Sequence, residues 1–255
     1  MTANPMPAAV VLAGSRGGTD PVAAYAGIAD KALIDLDGQT MLARVIHALR
    51  AANVGDIAVA ANAPAVATEA AANGARMLPA AAGPSASTAA ALSTLGAPML
   101  VTTGDHALLQ PAWIRDFLAE VPPGADVAVL LARRESVERA APGSRRTYLR
   151  FADGDWSGCN LFLLATPRAE AAVRLWQAVE RDRKRPWRIV GRLGPGLLLR
   201  YLLGRLSLAD AIAALGRRAG VVAAVVECRD GLAAVDVDKP ADLDFVRAYL
   251  ARATA

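Results

Sequence analysis

Short apolar runs alternate with stretches of helical spacing along most of the chain. Residues 8–13 (AAVVLA) have the length and β-branched content of a strand buried on both faces. The run ends in the glycine-rich loop Gly14-Ser15-Arg16-Gly17-Gly18. Thr40 then stands as an N-cap before Met41, Leu42, Val45, Ile46 and Leu49, which recur at helical spacing. Residues 57–60 predict a second strand, 63–73 a helix closed by Gly74, and 76–78 a short strand. Gly83-Pro84-Ser85 opens a helix through Leu95, with proline in its first turn. Residues 98–103 (PMLVTT) form a further buried strand that runs straight into Gly104-Asp105, followed by a helix over 111–120 and a strand over 126–131.

The second half is less regular. Residues 133–155 are polar and arginine-rich, with a hairpin around 148–151, and 159–165 (CNLFLLA) return to a buried strand. Helices dominate 167–218, broken at Gly194-Pro195-Gly196; strands are expected at 221–227 and 233–237, and a closing helix at 240–250. Strand-helix alternation of this kind predicts an α/β, Rossmann-like fold: a mostly parallel mixed sheet with helices on both faces. One domain over 1–255 is expected, with 133–220 as an acceptor-side and helical insertion region. Ligands in such sheets bind at the carboxyl ends of the strands, where the Gly14 loop and Asp105 both fall.

Several residues there could carry chemistry. The glycines of the 14–18 loop let backbone N–H groups converge on an anion, and Arg16 adds a planar cation suited to phosphate. Neither the P-loop pattern nor the dinucleotide fingerprint fits, because no Lys-Ser/Thr pair follows and Thr19-Asp20-Pro21 interrupts the loop before any helix. Asp105 ends a buried strand, where an unpaired carboxylate is costly and calls for a cation. His106 next to it is a weaker candidate, since Mg²⁺ prefers oxygen ligands. Asp236 and Asp238 fall on the same side of an extended segment; Asp238 has a second reading as the cap of the helix begun by Pro240, and Asp242 as a first-turn dipole partner.

These segments together resemble the nucleotidyltransferase superfamily with the glycosyltransferase-A fold, which includes molybdenum cofactor guanylyltransferases and sugar-phosphate nucleotidylyltransferases. The resemblance rests on VVLAGSRGG, on DKALIDLDGQTMLARVIHAL, on Gly83-Pro84-Ser85, on Gly104-Asp105 and on AVDVDKPADL at 234–243. Ser15 stands where the family usually has a second glycine, and Asp30 where it has proline. The resemblance implies that Leu12, Ala13, Gly14, Ser15 and Arg16 wrap a triphosphate and that Lys31 neutralises it. It implies that Gly83 and Ser85 contact base and ribose, and that Asp105 with Asp236 or Asp238 holds Mg²⁺, Asp236 being slightly favoured. Asn160 would face the acceptor. The expected reaction joins a nucleoside triphosphate to a small phosphorylated compound and releases pyrophosphate. Two alternatives stay open: a glycosyltransferase consuming a nucleotide sugar, and a nucleotide-binding module without catalysis.

Bulk properties narrow the partners. The 255 residues are 54% hydrophobic, largely through alanine, and carry a net charge of +4. No apolar stretch approaches the roughly 18 residues of a membrane span, and residues 1–7 show no signal-peptide pattern. Cys159 and Cys228 lie far apart, as expected of buried free thiols in a reducing compartment, so a cytoplasmic location is expected. Basic residues cluster between Arg181 and Arg205 without regular aromatic interleaving, which is weak evidence for nucleic acid; a phosphorylated substrate or an acidic lipid surface explains the bias equally well, and no nucleic-acid partner is expected. The segment from Trp187 to Leu208 has two readings: contact with an anionic membrane, or packing on the sheet or on a second subunit as a homodimer, with its arginines on substrate phosphate.

Overall fold

The computed structural model of the chain describes residues 6–14, 20–144, 146–182 and 194–253. Strand β1 (Ala8–Leu12) lies inside a sheet of eight described strands. On one side run β4 (Ile57–Ala61) and β5 (Arg76–Pro79), and on the other β6 (Met99–Thr103), all parallel to it. Next comes β9 (Gly154–Leu164), antiparallel to both β6 and β7 (Val127–Arg133), and then β10 (Ala223–Cys228), parallel to β7. The short β8 (Leu149–Phe151) forms a hairpin with the start of β9, and β2 (Asp35–Leu36) pairs with β3 (Gln39–Thr40) in a separate ribbon.

Continuous apolar strands are explained by two cores. Ala9 and Val11 of β1 face one apolar layer, shared with Leu42, Ile46 and Leu49 of α2 (Met41–Ala51) and with Ile114 and Phe117 of α5 (Pro111–Glu120). Val10 faces the other, which holds Ala91 and Leu92 of α4 (Pro84–Leu95) and Val173 of α7 (Ala169–Arg181). The central residues of β1 are thereby buried whichever way they point, and no alternation appears in the sequence. Thr40 caps α2 as expected, its Oγ1 accepting from Ala43 N at 3.0 Å. Both cysteines are buried and free.

The chain order also sets where a ligand can enter. After β1 it builds outward through β4, α3 (Pro64–Ala72) and β5, then returns through α4 to lay β6 on the opposite side of β1. The order of strands thus reverses direction at β1, and a crevice lies at the carboxyl ends of β1 and β6.

Four features differ from expectation. The loop after β1 contains a helix, α1 (Pro21–Ala26), started by Asp20, whose carboxylate accepts from Val22 N and Ala23 N. The arginine-rich stretch after β7 forms α6 (Arg134–Ala140), which buries Val137. β9 begins at Gly154 rather than at 159, and it sits between β6 and β7. Residues 233–237 are not a strand. A 3₁₀ turn (Gly231–Ala234) packs against α6 so closely that a β-carbon on Gly231 would lie 2.1 Å from the Ser136 carbonyl oxygen. An extended segment follows the turn, with Val237 N donating to Asp105 O at 3.1 Å. The remaining helices among the described residues are α8 (Pro195–Leu202), α9 (Leu208–Ala219) and α10 (Pro240–Ala253).

Candidate active site

A cleft of about 480 Å³ opens in the crevice between the ends of β1 and β6. Leu12, Ala13 and Gly14 form one wall, Gly83, Pro84 and Ser87 another, and Lys31, Asp105 and Asp238 meet below them. Gly104 lets β6 stay close to β1: its N–H donates to Leu12 O at 2.9 Å, and a β-carbon there would be 3.1 Å from that of Ala13. Asp105 is thus delivered to the cleft by a strand end that cannot swing away.

Lys31 begins a 3₁₀ turn (Lys31–Leu33) anchored by the buried Ala32 and Ile34. Its Nζ donates to Asp105 Oδ2 at 2.6 Å and to Val237 O at 3.0 Å, and lies 3.7 Å from Asp238 Oδ1. With the bond from Val237 N to Asp105 O, these contacts close a ring that joins three distant parts of the chain. Burial opposes the charge on Lys31, but the attraction and hydrogen bond of Asp105, aided by Asp238 and Asp20, outweigh it and raise its pKa. The ammonium is held charged in a partly desolvated position, where its attraction for an anion is less screened than in water.

A second pocket of about 210 Å³ adjoins the first, with Asp238 lining both. Asn160 and Asp236 stand in it, and Asn160 Nδ2 donates to Asp236 Oδ2 at 2.7 Å. Asn160 has φ of 47° where the register between β7 and β9 shifts, a left-handed conformation that asparagine tolerates better than most residues. The bulge re-aims its side chain from the sheet toward Asp236. Burial first, then the carboxylates of Asp238 and Asp105, push Asp236 up from 3.8 to about 6, against the opposing effects of Arg146 and Asn160. Negative charge is in excess where the two pockets join.

Arg146 and Asp242 carry more of this site than their sequence positions suggested. Arg146, with its side chain 6% exposed, donates through Nη1 to the Asp236 carboxylate and carbonyl, and through Nη2 to Asp242 Oδ1 at 2.8 Å. Asp242 Oδ2 accepts from Asp238 N at 3.1 Å and Lys239 N at 2.9 Å, so it fixes the start of α10 from within its first turn. No spacing rule marks Arg146 among the arginines around it. The Asp20-Pro21 start of α1, by contrast, is an N-cap signature visible in the sequence, and Asp20 also lines the cleft.

Other expected residues fall elsewhere. Ser85 is buried away from the cleft: its hydroxyl donates to Glu180 of α7 and its N–H to Glu180 Oε2 at 3.3 Å, while Ser87 takes the place on the cleft wall. Glu180 thereby satisfies N–H and O–H groups at the start of α4. Ser15, Arg16 and residues 187–193 lie outside the described residues. His47 is exposed on α2. His106 is 1% exposed and stacks on Trp113, ring centroids 6.3 Å apart.

Burial lowers the His106 pKa from 6.5 to about 4, with the Asp105 charge opposing the shift only in part. The folded state therefore binds fewer protons than the unfolded chain between these values, and stability present above pH 6.5 is lost as pH falls toward 4. His106→Leu is expected to remove about 3 kcal/mol of that acid-dependent loss, read from thermal unfolding at a series of pH values. An unchanged acid limb would show that His106 is not the group responsible.

Residues 9–220 match the sequence model of the family described as the MobA-like NTP transferase domain. A hypothetical transferase from Thermus thermophilus superposes with a TM-score of 0.80 at 32% identity, over 93% of this chain and 99% of that one. A nucleotidyl transferase from Methanothermobacter thermautotrophicus superposes at 0.60 with 20% identity, over 98% and 99% of the two chains. CMP:2-keto-3-deoxy-manno-octonic acid synthetase, complexed with CTP, does so at 0.59 with 18% identity, over 97% and 99%. The last two share the fold. No curated protein is similar in sequence.

Proposed function

The chain belongs to the family of MobA-like NTP transferase domains, and on that premise we propose that it transfers a nucleotidyl group from a nucleoside triphosphate to a small phosphorylated acceptor. The observation that carries this reading is the ring formed by Lys31, Asp105 and Val237, with Asp238 beside it, below the Gly14 and Gly83 walls.

The phosphate oxygen of the acceptor attacks the α-phosphorus; a new P–O bond forms, the bond to the β-phosphate oxygen breaks, and pyrophosphate leaves. A phosphate monoester has its second pKa near ~6 and arrives ionised at neutral pH, so no general base is needed. The chain has to bring two anions together in line. Gly14 leaves backbone room for the triphosphate at the cleft wall. Lys31 offsets the phosphate charge in a partly desolvated position. The second pocket takes the acceptor, with Asn160 and Lys239 within reach of its polar groups.

Mg²⁺ fits the donor set at the junction. Among the described residues no group of three His, Cys, Asp or Glu side chains could enclose a metal on its own. Asp105 and Asp238 nonetheless supply hard oxygens close together, and the raised Asp236 pKa marks unbalanced negative charge beside them. Mg²⁺ suits such a site, because it is commonly held by one or two carboxylates plus substrate phosphates. When bound it would neutralise the phosphate oxygens and orient the triphosphate. Asp238 is the better second ligand: both Asp236 oxygens are engaged by Arg146 and Asn160.

The test is a pyrophosphate-release screen of the four triphosphates against sugar, polyol and amino-alcohol phosphates, with Mg²⁺ and with chelator. Metal-dependent pyrophosphate release with one acceptor class is expected. Release of nucleoside diphosphate from a nucleotide sugar would replace the reading with glycosyl transfer, and nucleotide binding without turnover would replace it with a regulatory module.

A further inference from the structure

Helix α8 carries a surface that nucleotidyl transfer does not use. Leu199, Leu202 and Leu203 lie at i, i+3 and i+4, on one side of the helix and its C-cap, and are 59%, 70% and 57% exposed. A single exposed leucine needs no explanation, but three on one stripe do. Tyr201 of the same helix meets Phe151 of β8 edge-on at 5.7 Å. Leu149, on the same side of that strand as Phe151, is 48% exposed. Tyr201 lies on the opposite side of α8 from the leucines, so its contact with Phe151 seats the helix against the β8–β9 hairpin and leaves the leucine stripe facing outward.

Charge identifies what covers it. Arg200 and Arg205 are exposed at this face, Arg200 in a solvent-facing pair with Asp210 at 2.8 Å. In the sequence, residues 183–205 contain seven lysines and arginines and no aspartate or glutamate. A nucleic acid would answer the cations but leave the leucines in water. A second copy docking through the same patch would cover the leucines but bring like charges together. An anionic bilayer answers both: leucines enter the headgroup–acyl boundary while arginines meet lipid phosphates. No helix among the described residues is long and apolar enough to cross a membrane, so the contact is peripheral. We propose that the α8 face, Leu199, Leu202 and Leu203 with Arg200 and Arg205, docks this protein reversibly on an anionic lipid surface.

Co-sedimentation of the full chain with vesicles tests this. Phosphatidylcholine vesicles containing phosphatidylglycerol are compared with pure phosphatidylcholine, at low and high salt. The native chain is expected to pellet with the anionic vesicles and to be released by salt. The double variant Leu199→Glu, Leu202→Glu is expected to partition roughly tenfold more weakly or worse. Its thermal unfolding should match the native chain, because these side chains are already in water. Three results would overturn the proposal: no binding to anionic vesicles at low salt, binding that the double variant retains, or a concentration-dependent dimer that the variant dissolves without any vesicle binding. The last would assign the face to a second copy of the chain.

Discussion

An Asp105→Asn variant is expected to fold and to lose roughly 10²–10³-fold in kcat, in line with removal of one preorganised electrostatic group. The amide preserves the shape of the carboxylate and its backbone bond with Val237 N, so the strand end stays in place. What disappears is the charge that sustains the Lys31 ammonium against burial and that supplies a hard oxygen to the proposed Mg²⁺. Pyrophosphate release at saturating triphosphate, alongside thermal unfolding, separates lost chemistry from lost fold. The Mg²⁺ concentration for half-maximal rate should rise as well. A variant with near-native kcat at ordinary Mg²⁺ would remove Asp105 from the proposed chemistry.

The largest stability effect is expected at Arg146, which no template would have selected. Arg146→Ala leaves the Asp236 and Asp242 carboxylates without their shared cation in a poorly solvated position. Breaking a buried pair from one side costs about 3–5 kcal/mol. In a chain of 255 residues this corresponds to a fall in Tm of roughly 10 °C. Arg146→Lys restores the charge but not the fork that spans two carboxylates, so an intermediate loss is expected. The same change should raise KM for the acceptor more than for the triphosphate, since the 236–239 segment lines the second pocket. A Tm within about 2 °C of native for Arg146→Ala would mean that water replaces the guanidinium at little cost, and the network would lose its structural role.

How far the residues announced these arrangements depended on range. The strands β1, β4 and β6 were legible because both faces are buried, which writes a run of apolar residues into the chain. Asp105 was legible for a related reason: a carboxylate directly after such a run has to sit at a sheet edge and find a cation. Helix α6 was not, because RESVERA buries only Val137 and shows no apolar stripe. The 231–237 segment misled for the opposite reason. An apolar run is equally compatible with a strand and with a tightly packed turn, and the choice was made by Gly231 seating on α6 and by Val237 meeting Asp105.

Local pattern, then, was enough for most of the strand-helix alternation, the buried face of α2 and the likeness to nucleotidyltransferases, since these follow from periodicity and from short motifs. It could not say that Asp238 rather than Asp236 stands beside Lys31, that Ser85 turns to Glu180, or that Arg146 binds Asp236 and Asp242. Those are contacts between residues far apart in the chain, such as Lys31 and Asp238. A side chain's partner at such distance is set by how strands order in the sheet and where one residue bulges, as at Asn160. Neither leaves a period or a spacing in the sequence.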